Sequence, residues 1–109
     1  MSDKRAATTY ENMQTAAAAT GNGISLDMNG FNIALFHVRG TFSATITWEA
    51  TIDGTNWDVW PAKNSAGVEA TTATATGLYR MDPFAASAIR ARISSYTSGS
   101  VTVVGRGTA

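Results

Sequence analysis

Between Thr41 and Ile52 the chain alternates without a break. Phe42, Ala44, Ile46, Trp48, Ala50 and Ile52 fall on one face, and Thr41, Ser43, Thr45, Thr47, Glu49 and Thr51 on the other. Period two with β-branched and aromatic residues predicts a half-buried strand. Asp53-Gly54 supplies a tight turn, and Trp57 to Trp60 reads as the returning strand of a long hairpin. On the N-terminal side, Ile24, Leu26 and Met28 share one face of a short strand, and Asn29-Gly30 signals a turn into a hairpin with the next. Residues 31–38 are apolar on both faces, with Phe31, Ile33 and Leu35 on one and Ala34, Phe36 and Val38 on the other. That pattern predicts a central strand covered on both sides, ended by Gly40.

Beyond the hairpin, Pro61 ends the pairing because proline cannot donate to a ladder. Residues 62–67 read as a loop, and 68–76, which alternate weakly with little bulk, as an edge strand or an extended crossing. Leu78 to Met81 is a short strand before an Asp82-Pro83 turn. From Ile89 to Tyr96 the alternation is clean, with Ile89, Ala91 and Ile93 inward and Arg90, Arg92, Ser94 and Tyr96 outward. Residues 97–100 turn the chain into a last strand, Val101 to Val104. Seven to eight short strands at intervals of about 8–12 residues predict an all-β fold, an antiparallel sandwich or jelly roll.

Residues 1–22 differ. Asp3, Lys4 and Arg5 precede an Ala- and Thr-rich run in which Tyr10 and Met13 are the large apolar side chains. With Thr8 or Thr9 as cap, a helix would align Tyr10, Met13 and Ala17, but that stripe is thin and a short helix with little to bury is marginal. The segment therefore reads as an extended or partly helical N-terminal arm, joined at Gly21-Asn22-Gly23 to a sandwich domain over 23–109. Two readings stay open: a frayed terminus, or an arm that orders against a neighbouring subunit through Tyr10 and Met13. On the second, the β body folds without the arm.

Composition narrows the function. At 109 residues the chain is one domain, and eight Lys plus Arg balance eight Asp plus Glu. Zero formal charge argues against a nucleic-acid partner, since phosphate binding draws on a basic excess. The absence of Cys removes disulfides, thiolate nucleophiles and Cys-based zinc sites. No run approaches eighteen apolar residues, so no membrane-spanning helix is expected. The N-terminus lacks the apolar core of a secretion signal, which predicts a protein made in a cytoplasm that stays there or leaves by a route such as lysis.

Candidate chemistry is sparse. His37, the one histidine, stands on an apolar strand with no nucleophile or orienting carboxylate beside it, and reads as a packed or rim residue. Asp53, Asn56 and Asp58 could offer oxygens to calcium, but the spacing matches no EF-hand and turn chemistry suffices to explain them. Trp48, Trp57 and Trp60 read chiefly as core, with Trp57 filling the sandwich, although a sugar-stacking platform is the sharper alternative. Arg90 and Arg92, with Arg80 if its strand is in register, form an outward basic stripe that meets either an acidic partner or cross-strand Glu49 or Glu69. With no phosphate loop, no Ser-His-Asp set and no paired carboxylates, the chain reads as no enzyme and as needing no cofactor or metal.

Residues 31–57 (FNIALFHVRGTFSATITWEATIDGTNW), 77–82 (GLYRMD) and 89–104 (IRARISSYTSGSVTVV) together resemble a group of small virion proteins of tailed bacteriophages. In that group a strand ending in Gly-x-Phe leads to an aromatic-Glu pair and then Ser/Thr-x-Asp-Gly-x-x-Trp, and a later I-R-A-R strand closes on a Tyr-x-Ser-Gly turn. The resemblance covers residues 21–107. It implies a β-sandwich that assembles on a particle: a virion protein made in the host cytoplasm, with the major capsid protein or other virion proteins as partners and other copies of itself beside it. A capsid decoration, or cement, protein is the leading expectation. A tail or baseplate component is the second, and a carbohydrate-binding module the third. The partner-binding residues expected are Tyr10, Met13, Arg90, Arg92 and Tyr96.

Overall fold

The computed structural model describes residues 8–29, 31–83 and 85–108, so Asp3, Lys4, Arg5 and Gly30 of the sequence reading lie outside it. All regular structure among the described residues is β. In chain order the strands are β1 (Thr8–Ala17), β2 (Leu26–Asp27), β3 (Ile33–Arg39), β4 (Phe42–Thr51), β5 (Asp58–Val59), β6 (Ala62–Asn64), β7 (Glu69–Ala70), β8 (Thr72–Ala73), β9 (Gly77–Met81), β10 (Ala88–Gly99) and β11 (Val101–Thr108). They form two antiparallel sheets. Sheet A runs β1-β11-β3-β9-β6-β7 and sheet B runs β2-β10-β4-β5, with β8 also on β4. The predicted antiparallel sandwich is therefore present. Its strands number eleven rather than seven to eight, because residues 58–73 break into four short pieces and the N-terminal segment adds one.

Phe36, Val38, Ile46, Trp48, Met81, Ile89, Ile93, Val101 and Val103 form the core between the sheets. Trp48, fully buried, stacks on Phe36 with ring centroids 4.7 Å apart, and Tyr79 leans on it at 5.4 Å. Burial pushes the Tyr79 hydroxyl above its ordinary pKa, and that hydroxyl donates to the Ala75 carbonyl at 2.7 Å. At one end the chain crosses between sheets twice, at Gly40-Thr41 and at Gly99-Ser100, and the two arches touch through Ser100 N donating to Thr41 O at 3.0 Å. Gly40 and Gly99 have φ of 115° and 89°, and a Cβ on either would strike the other arch's backbone.

Several expectations are corrected. The N-terminal segment is a strand of the domain itself: β1 pairs with β11 over Thr8–Ala17, and Met13 is 1% exposed in the core. The extended alternative holds over Thr8–Ala17, while the partly helical one and an arm separate from the β body do not. The physical reason lies in β11, whose inward Gly105 leaves the space that the Met13 sulfur occupies. Residues 21–24 then close the side of the sandwich, with Ile24 N donating to Met13 O and Gly21 bridging Ile93. Gln14 spans the gap, its Nε2 donating to Ala91 O of sheet B at 2.9 Å.

The turn before Phe31 is present, closed by Phe31 N donating to Met28 O. The hairpin is not, because β2 pairs with β10 in sheet B whereas β3 lies between β11 and β9 in sheet A. β3 is central, as predicted, but covered on one face only: Leu35 and His37 are exposed. Residues 68–76 make the extended crossing, leaving the edge of sheet A at β7 and joining sheet B at β8.

Candidate functional site

Polar chemistry concentrates on the outer face of sheet B. Glu49 stands opposite Arg90 and, one row on, Thr47 opposite Arg92, so antiparallel register puts both guanidiniums beside one carboxylate. Arg90 Nε donates to Glu49 Oε1 at 2.7 Å and Arg92 Nε to Oε2 at 3.1 Å. The carboxylate is buried under them. Trp57 covers the Arg90 guanidinium, whose carbon lies 4.2 Å from the ring centroid. Two arginines on one carboxylate leave one positive charge over. No other carboxylate among the described residues lies within ion-pair distance of either.

Trp57 therefore sits on the outer face, which corrects its expected place in the core. The core tryptophan is Trp48, and Trp60 is half exposed beside Ala50 and Ile52 at an opening on the sandwich's side. No three-tryptophan platform forms, because β4 and the returning strand project the rings in different directions. Arg80 is likewise away from the stripe: it lies on sheet A, 3.3 Å from Asp82.

Of the expected partner-binding residues, Arg90 and Arg92 come together. Tyr10 is 59% exposed on the outer face of sheet A, in a row with Arg106, Leu35 and Arg80. Leu35 and Leu78 are exposed on the same face. Met13 is core and cannot meet a partner. Tyr96 is corrected as well. A bulge between Ile93 and Ser95 flips the parity of β10, so Tyr96 faces Ala44 and packs on the core while its hydroxyl donates to Gly99 O at 2.8 Å. His37 is exposed on sheet A between Leu78 and Val104.

The Asp53 turn is self-contained. Its carboxylate accepts from Thr55 N, Asn56 N and Asn56 Nδ2 at 2.8 Å each and from the Thr51 hydroxyl at 3.1 Å. The Asn56 and Thr55 backbone N–H groups, then the Asn56 side chain and the Thr51 hydroxyl, hold the carboxyl well below the usual carboxylate range. Gly54 takes φ of 81° in the same turn. No group of three or more His, Asp or Glu side chains suited to a metal occurs among the described residues.

No family profile matches the chain, and no curated protein matches it in sequence. Two solved structures share its architecture. The SPBc2 prophage-derived protein YomS is 18% identical, with a TM-score of 0.85 over 94% of each chain. The PBSX exported protein XepA is 17% identical, with a TM-score of 0.87 over 93% of this chain and 37% of its own. At these identities the likeness is one of fold.

Proposed function

We propose that this protein is a structural component of a tailed-bacteriophage particle, a capsid decoration protein that binds the capsid surface and neighbouring copies of itself. The observation that carries the reading is the end-to-end fold likeness to YomS, a prophage-derived protein of matching extent. The motif resemblance across 31–57 and 89–104 supports it independently of the fold. In this reading the protein performs no catalysis and acts by binding.

The outer face of sheet A is the attachment surface. Tyr10, Arg106, Leu35 and Arg80 stand in one cross-strand row, with Leu78 beside them. Aromatic and arginine side chains among exposed aliphatics are the composition that protein interfaces favour. With the N-terminal segment built into the sheet, this face replaces a flexible arm as the point of contact.

The test is to separate heads from tails in purified particles and measure the protein against the major capsid protein by quantitative mass spectrometry. Recovery with heads at a ratio set by the capsid lattice supports decoration. Recovery with tails alone moves the protein to the tail or baseplate. Absence from both contradicts a place in the virion.

A further inference from the structure

The outer face of sheet B continues past the Glu49 cluster into a groove. After the β10 bulge Ser95 stands opposite Thr45, and β8 sets Thr72 opposite Thr47, which brings Thr74 alongside Thr45. The groove, of about 320 Å³, is lined by Ser43, Thr45, Thr74, Ser95 and Thr97, with Phe42 and Ala44. None of those five hydroxyls has a hydrogen-bond partner among the described residues. Neighbouring hydroxyls on the same face do: Thr47 Oγ1 donates to Ser94 Oγ at 2.8 Å, and Ser94 Oγ to Thr45 O at 3.3 Å. From Glu49 to Ser43 the strand advances roughly 20 Å at about 3.3 Å per residue. The face is thus a track with an arginine pair at one end and free hydroxyls at the other.

We propose that this face binds an acidic glycan, a saccharide chain carrying carboxylate or phosphate groups. Arg90 and Arg92 take the anionic group, for which the planar guanidinium is suited and for which the cluster has one positive charge uncompensated. Glu49 holds both arginines by Nε, and Trp57 holds Arg90 from one side, so little side-chain freedom is lost on binding. The groove hydroxyls each donate and accept, which matches the hydroxyls of a sugar ring. Its volume falls at the small end of ligand sites, about 300–1,000 Å³. A protein partner fits less well, because interface cores are aromatic or apolar and depleted in serine. The inference does not depend on where the protein sits in a particle.

The test is calorimetric titration of the full-length protein with four probes: oligogalacturonate, a phosphorylated oligosaccharide, a neutral oligosaccharide of equal length, and inorganic phosphate. At least one charged glycan is expected to saturate the protein, the neutral one to bind about tenfold or more weaker, as loss of a charge-assisted contact implies. The two charged glycans separate carboxylate from phosphate as the anionic group. Arg92→Gln, which leaves Glu49 paired with Arg90, should lower affinity for the charged glycan about tenfold. The double variant Thr45→Val with Thr74→Val, which keeps shape and β-branching, should lower it several-fold. Lys63→Gln, an equal charge change on sheet A, should leave it unaltered. Equal binding of neutral and charged glycans, binding of phosphate alone, binding indifferent to Arg92→Gln, or no binding would each overturn the proposal.

Discussion

Trp48 and Trp57 differ by nine positions in sequence, yet one is the centre of the core and the other a lid on an ion cluster. Trp48 is fully buried against Phe36 and Tyr79. Trp48→Ala should therefore cost about 3–5 kcal/mol, the usual range for emptying an aromatic site in a core. Trp57→Ala removes a partly buried ring at the surface and its contact with Arg90, a contact worth about 0.5–1 kcal/mol, and should cost less. Urea melts of the two variants check the difference, and equal losses would contradict the assignment of faces. The alternation of 41–52 was enough to place Trp48 inward. Trp57 follows a turn, where parity is reset by geometry that no local pattern records. Asp53 allows a separate check. Its folded-state pKa is depressed, so its contribution is present above about pH 4, the ordinary aspartate value, and is lost as pH falls through the folded value. The gap in melting temperature between wild type and Asp53→Asn should narrow when measured at pH 3 rather than pH 7. A gap that stays constant would mean that the turn hydrogen bonds do not favour the ionised form.

At the scale of elements, β1 is the strand that local sequence hides. Thr8–Ala17 has a thin apolar pattern, and its place is fixed by a partner some ninety residues downstream. Along β11 the inward positions are Val101, Val103, Gly105 and Gly107, and a Cβ at Gly105 would come within 2.5 Å of the Met13 sulfur. The alternation of Val and Gly with Thr, Val and Arg was visible and would have extended the last strand to Thr108. Which side chain fills the glycine gap was not, because that is a long-range packing fact. Two outcomes follow for stability. Removing residues 2–17 should abolish the cooperative unfolding transition, since it strips an edge strand and a core methionine. A truncated protein with a melting temperature near that of the full chain would show that β1 is dispensable. Gly105→Ala should cost about 1–3 kcal/mol by overpacking against Met13, read by denaturant melts. The Tyr96 reversal has the same kind of origin: the bulge at 93/95 inserts a residue that a period-two reading cannot see.

For the whole molecule, the two outer faces differ in chemistry. Sheet A presents Tyr10, Leu35 and Leu78 among arginines, and sheet B presents hydroxyls and the Glu49 cluster. A sandwich with one face suited to protein and the other to polar ligands can attach to a surface and still offer a face outward. The sandwich architecture itself was legible from strand spacing and turn residues. The division of labour between its faces was not, because it depends on which strands become neighbours. Docking on the capsid through sheet A is the proposal, and cryo-electron microscopy of purified particles tests it. Density is expected on the outer capsid surface for a body of 47 × 26 × 25 Å, with Tyr10, Leu35 and Leu78 against the shell and Arg90 and Arg92 facing away. A shell without that density, or a docked body with sheet B against the shell, would contradict it in its place or in its orientation.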